Sequence, residues 1–176
     1  MIYAGVTYDE YNNQMTEIHD ELEKLATAKL DKANPTGTGS LSLNRKSGTT
    51  IGDYSVAAGK DPTVSGSYSA AVGLTTTASG DCAVALGGNT IASRIGTVAI
   101  GHGAEASGNY SVALGKSTKA SGESSTALGA NSKATEWGSF AAGYGAEATN
   151  YFSVALGNST KATAIAAFAA GDNSQA

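Results

Sequence analysis

The chain has 176 residues, 11 lysines and arginines against 15 acids, a formal charge of −4 and only 7% aromatic residues. That balance, with no Lys/Arg cluster, argues against a nucleic-acid or anionic-membrane partner held through counterion release. The 23 glycines and two prolines fall far short of the one-third glycine of a collagen helix, and a lone cysteine, Cys82, leaves no intrachain disulfide and suits a reducing compartment.

No apolar run approaches the roughly 18 residues of a membrane span, and Met1 to Gln14 carry no basic stretch followed by an apolar one. The expectation is no membrane insertion and no cleaved secretion signal. Residues 1–8 read as an apolar arm ahead of the helix, either a docking segment or simply disordered.

Next, Tyr8, Tyr11, Met15, Ile18, Leu22 and Leu25 step by 3, 4, 3, 4 and 3. This seam of about three heptads predicts a coiled-coil helix over 9–33, with Lys29 and Lys32 continuing its phase as polar residues. Seven acids (Asp9, Glu10, Glu17, Asp20, Glu21, Glu23, Asp31) precede or flank three lysines (Lys24, Lys29, Lys32), an order that suits the helix dipole. Asn34-Pro35 ends the helix, and 34–45, with Thr36-Gly-Thr-Gly39, reads as a linker. Three heptads are marginal alone, so helix and following domain are expected to support each other's association. The plainer alternative is a single helix capping the end of that domain.

From residue 46 onward the sequence repeats. Glycine recurs at Gly59, Gly73, Gly87, Gly101, Gly115, Gly129, Gly143, Gly157 and Gly171, always 14 residues apart. Two residues before each stands alanine: Ala57, Ala71, Ala85, Ala99, Ala113, Ala127, Ala141, Ala155 and Ala169. One residue type at a fixed step is what a solenoid asks for, because each coil recreates the surroundings of the coil beneath it. Fourteen residues cannot hold a helix pair, and each period contains two short strand-like stretches, Tyr110–Leu114 and Thr118–Ser121 in one coil. Stacked in parallel at ~4.8 Å, nine coils give a rod of about 40 Å. The predicted fold is mainly β, a parallel β-roll over 46–176.

The first stretch carries Val56, Val84, Val98, Val112 and Val154 with Leu86, Ile100, Leu114, Leu128 and Leu156 on one face. Ser55, Ser69, Ser111, Ser125, Ser139, Ser153 and the alanine column lie on the other. Neither face is charged, so both are expected to be buried. In the second stretch Glu105, Lys119, Lys133, Glu147 and Lys161 alternate with Ala106, Ala120, Ala134, Ala148 and Ala162, polar outward and small inward. Opposite such small residues the Val/Leu face is expected to fill the roll, leaving the Ser/Ala face for close approach between chains. A coil this thin cannot shield both faces alone, so the rod is expected to be an oligomer.

Tyr110-Ser-Val-Ala-Leu-Gly115 and its copies, alternating with Thr118-Lys-Ala-Ser-Gly122, resemble the head repeats of trimeric autotransporter adhesins, the YadA-like left-handed parallel β-roll. The resemblance implies a homotrimer, a left-handed roll and an attachment role. Asp31–Ser40 with Asn44-Arg45 is similar to the lead-in of such repeats in phage and prophage fibre proteins. With the missing leader and translocator, this points to a virion fibre, on head or tail, held by capsid or tail protein through residues 1–40; the alternatives are a bacterial surface adhesin head or a carbohydrate-binding module of a longer fibre, with Trp137 and Tyr151 as its platform.

No catalytic or metal constellation is legible, and no cofactor is expected. The two histidines, His19 and His102, lie in different domains, which argues against an enzyme; His102 is the first candidate for a metal on a three-fold axis. Gly101-His-Gly103 and Gly87-Gly88 lack the following helix of a phosphate loop and read as turns. A threonine column at Thr49, Thr63 and Thr77 fails as an ice-binding ladder because it continues as Ile91, Glu105 and Lys119. The repeat breaks its own rule at Trp137 and Tyr151, expected to stack on neighbouring coils with Phe152 beside them and Tyr144 in the intervening turn. These four are candidate contacts for a host-surface glycan or protein, unless they pack across the trimer seam. Cys82, standing where other coils hold Tyr54, Tyr68 and Tyr110, reads as a buried small hydrophobe. The last residues, Asp172–Ala176, stop in mid-coil, where a partner or further sequence is expected to cover the edge.

Overall fold

A computed structural model describes residues 7–33, 40–43 and 51–176. The arm at 1–6, the Asn34-Pro35 helix stop with the joint at 36–39, and residues 44–50 with Thr49 lie outside the described residues. So does the side chain of Leu25.

The predicted helix spans Tyr8–Ala33. Its start is fixed by Thr7 and Glu10, three residues apart: Thr7 N–H donates to Glu10 Oε2 at 2.7 Å, and Glu10 N–H donates back to Thr7 Oγ1 at 3.3 Å, a reciprocal cap that satisfies two otherwise orphaned donors. The Thr7 N–H, and with it the Thr7 hydroxyl, holds the Glu10 carboxyl below the usual glutamate range. Along the seam every described apolar side chain faces water, from Met15 at 47% to Tyr8 at 72% exposed.

The rest is a parallel solenoid. Among the described residues, nine five-residue strands run from Val56–Lys60 to Phe168–Asp172. With Leu41–Leu43 they form one ten-stranded sheet, and eight two-residue strands from Thr63–Val64 to Lys161–Ala162 form the second. Every pair is parallel, and the register advances by one repeat at each step, as in Ala113 against Ala99 on one side and Ala127 on the other. Leu41–Leu43 pairs Leu41 with Val56, a step of fifteen, so the sheet begins inside the 34–45 segment read as a linker.

The long strands start later than Tyr110–Leu114 suggested: the observed strand is Val112–Lys116. Tyr110 has φ 58, a left-handed turn that cannot continue a strand. The same corner is left-handed at Tyr54, Tyr68, Cys82, Gly96, Ser124, Gly138, Phe152 and Ala166. A second such corner recurs at Asp61, Thr75, Asn89, Gly103, Ser117, Asn131, Gly145, Ser159 and Asn173, of which the Gly, Asn and Asp members suit that region and Thr75, Ser117 and Ser159 are held there by the coil. Cys82 therefore sits on an exposed corner, and its reading as a buried hydrophobe is corrected.

The inside and outside of the long strands are also the reverse of the expectation. Ala57, Ala71, Ala85, Ala99, Ala113, Ala127, Ala141, Ala155 and Ala169 are at most 3% exposed and form one core with Ala78, Ala92, Ala106, Ala120, Ala134, Ala148 and Ala162 of the short strands. The serine column is inside too: the hydroxyls of Ser139 and Ser153 donate to the carbonyls three residues back, of Glu136 and Asn150, at 2.6 Å each, while those of Ser111 and Ser125 are buried without a hydrogen bond. Val84, Leu86, Val112, Leu114, Val154 and Leu156 face outward, half-buried. The reason is dimensional: with both corners closed by left-handed turns within 14 residues, the two sheets come so close that the facing columns are alanine at nearly every rung, with the larger Val64 only at the first short strand. The short strands behave as expected, with alanine in and charge out.

Candidate interaction surface

The largest unusual surface is the outer side of the ten-stranded sheet. Val84, Val98, Val112 and Val154 stand in one column and Leu86, Ile100, Leu114, Leu128 and Leu156 in the next, stacked in register. Some members exceed a third exposed: Val56 37%, Val72 39%, Ile100 37%. A contiguous apolar face running the length of a rod is what soluble single chains avoid and what association covers. The first two rungs, Val56 with Ala58 and Ala70 with Val72, are small, and most others pair valine with leucine or isoleucine. Where the first column enlarges to Phe140 and Phe168, the second shrinks to Ala142 and Ala170. Such compensation is the mark of a face fitted against a surface.

The outer side of the eight-stranded sheet is its chemical opposite. Lys119 Nζ meets Glu105 at 3.2 Å, and Lys133 and Lys161 close on Glu147 from the rungs on either side at 3.0 and 3.1 Å. Lys119 and Lys133 are direct register neighbours and turn away from each other toward their acids. Hydrogen bonds from Lys133, then Lys161, hold the Glu147 carboxyl below its usual 4.5. Because that pKa is lowered on folding, the contribution is complete above the unfolded value and is lost as pH falls through the lowered folded one. Glu147→Gln should therefore cost up to about 1 kcal/mol at neutral pH. Thermal melts of the variant and parent should converge as acidity passes below pH 4.5; a constant gap down to strong acid would refute the assignment.

The aromatic candidates divide into two places. Trp137, Tyr151 and Phe152 share the corner before the long strands, all about half exposed. The ring that meets Trp137 is Phe152, edge to face at 4.7 Å and 62°, rather than the expected Tyr151. Phe152 swings across because the left-handed corner at Gly138 leaves room: a Cβ there would lie 2.9 Å from the Phe152 ring. Tyr144 closes the strand Phe140–Tyr144 and stands at its other end, apart from the three. Elsewhere on the same corner Tyr54 and Tyr68 stack at 5.3 Å.

His19 reaches Glu23 at 3.4 Å one helical turn on, and His102 is exposed with its ring over Gly88. Among the described residues no group of three or more His, Cys, Asp or Glu is placed to hold a metal, and no helix is long and apolar enough to cross a membrane.

Nine long strands at one 14-residue step in unbroken parallel register, with an apolar outer face, define a β-solenoid of the fibre-head type. The YadA head domain repeat, as a unit of two copies, matches residues 65–90, 92–118, 120–146, 138–160 and 148–174. These stretches cover more than half of the chain, which belongs to the YadA head-repeat family. A search of the curated proteins returned no match.

Proposed function

We propose that the chain is a non-enzymatic trimeric fibre whose role is attachment. YadA heads form trimers in general. What carries the trimer for this chain is the outer Val/Leu face, an apolar double column along the roll in which Ala142 and Ala170 make room beside Phe140 and Phe168. Three such faces turned toward a common axis would remove the apolar columns from water and leave the Lys/Glu ladder outside. The exposed seam of Tyr8, Tyr11, Met15, Ile18 and Leu22 extends the same logic to the helix, with three copies pairing as a coiled coil.

We further place the fibre on a phage virion, head or tail, with residues 1–40 as its held end, supported by the likeness of Asp31–Ser40 to phage fibre lead-ins. An adhesin head on a bacterial surface is the second reading, supported by the family itself. Mass spectrometry of purified virions and of cell-surface fractions separates the two. For assembly, sedimentation of the purified chain at micromolar concentration should give one species at three times 17.5 kDa; a 17.5 kDa species would overturn the fibre.

A further inference from the structure

Each corner before a long strand presents one side chain just ahead of the left-handed residue: Asp53, Ser67, Asp81, Ile95, Asn109, Glu123, Trp137, Tyr151 and Ile165 in turn. A seam between copies of a repeating rod must offer the same chemistry at every rung, as the Val/Leu columns do. This column does not: it is polar at Asp53, Ser67, Asp81, Asn109 and Glu123, aliphatic at Ile95 and Ile165, and aromatic at Trp137 and Tyr151 alone. Chemistry that changes from rung to rung does not suit a repeating seam, so the aromatics are a local feature of an exposed edge. Phe152 fixes the indole edge to face at 4.7 Å on a backbone pinned by Gly138 N–H to Glu123 carbonyl and Phe152 N–H to Trp137 carbonyl bonds of 2.9 and 3.0 Å. One rung back lies the exposed Glu123, and Asn109 lies one rung further.

We propose that Trp137, Phe152 and Tyr151 form a carbohydrate site that takes a neutral pyranose, such as a hexose or an N-acetylhexosamine. A held but half-exposed indole offers a flat apolar surface to the C–H face of a sugar ring. At a spacing of ~4.8 Å per rung, Glu123 and then Asn109 are within reach of its hydroxyls. Glu123 and Glu136 repel uronic and sialic acids. A protein partner would have to find most of its roughly 800 Å² per side beyond these three rings, whereas a single sugar ring is matched by them. The site deepens the attachment role proposed above and rests on it.

Trp137 is the only tryptophan in the chain, so its emission reads this corner alone. The intact protein is titrated with chitotriose, maltotriose and, as the acidic counterpart, trigalacturonic acid. At least one neutral trisaccharide should give a saturable emission change and protection from acrylamide, and the acidic one neither. Trp137→Ala should weaken binding about tenfold or more by calorimetry, while Trp137→Tyr keeps most of it. Glu123→Lys, on an exposed side chain, should admit the acidic sugar. Absence of any response to both neutral sugars, or a response to the acid alone, overturns the proposal. So does a Trp137 already shielded from acrylamide without sugar, which would put a neighbouring copy on the corner. Sedimentation of the same samples reads assembly separately, so failure to bind sugar and failure to form a trimer are told apart.

Discussion

Gly115→Ala should abolish stacking of the coils, while Gly103→Ala, in the coil before it, should be tolerated. A Cβ at Gly115 would lie 1.8 Å from the carbonyl oxygen of Gly129 in the next rung, on a backbone with φ +131. The obstacle is backbone, in register with Gly143 beyond it, so neither rung can move without breaking the ladder above. A loss of about 3–5 kcal/mol is expected, a large part of what a domain has to lose. At Gly103 the nearest atom to a Cβ is Ser117 Oγ at 3.6 Å, with φ +66, so only the left-handed backbone is strained, by about 1–2 kcal/mol. Gly103→Asn should cost still less, since Asn89 and Asn131 hold the same corner of other coils. Thermal melts of the three variants test the ranking. Equal losses at positions 103 and 115 would show that chain stiffness, rather than rung-to-rung contact, selects the glycine.

What the sequence made legible followed from translation along the rod. The 14-residue step, the parallel register, the alanine-in and charge-out short strands and the helix all rest on periodicity. The solenoid preserves periodicity because each rung meets its own copy. Which side of the long strand lies inside was not legible, since Ala113 and Leu114 sit on opposite faces that are both uncharged. Hydrophobicity favours Leu114 for the interior, and the tight closure of the coil reverses that. The missing information was the left-handed corner. Tyr110 and Cys82 give no hint of it in isolation, although Gly96 and Gly138 in the same column, and the Asp61, Asn89, Gly103 and Asn131 column, point to it once the coils are aligned. The pairing of Trp137 with Phe152 depends on the same corner, because only Gly138 lets the ring of the next rung cross over. The ion pairs at Glu147 were readable as a column of charges, but which lysine turns to which acid is decided by the neighbours above and below each.

If the chain assembles as proposed, Leu114→Asp should give monomers in place of the trimer while leaving the coil intact. In one chain Leu114 is half-buried on the outer face between Ile100 and Leu128, so a carboxylate there can remain hydrated and the alanine core behind it is untouched. In a trimer closed through that face, three copies bring three carboxylates into an apolar seam. Each costs several kcal/mol if left unpaired, which amounts to a thousandfold or greater loss of association at about 1.4 kcal/mol per tenfold. Sedimentation at micromolar concentration should shift to the single-chain mass, with the β circular dichroism signal retained. Lys119→Asp, on the opposite sheet where Lys119 is exposed beside Glu105, should leave the mass at three chains. A Leu114→Asp protein that stays trimeric would exclude the Val/Leu face as the seam. The volume compensation between Phe140 and Ala142 would then have to answer to some other surface.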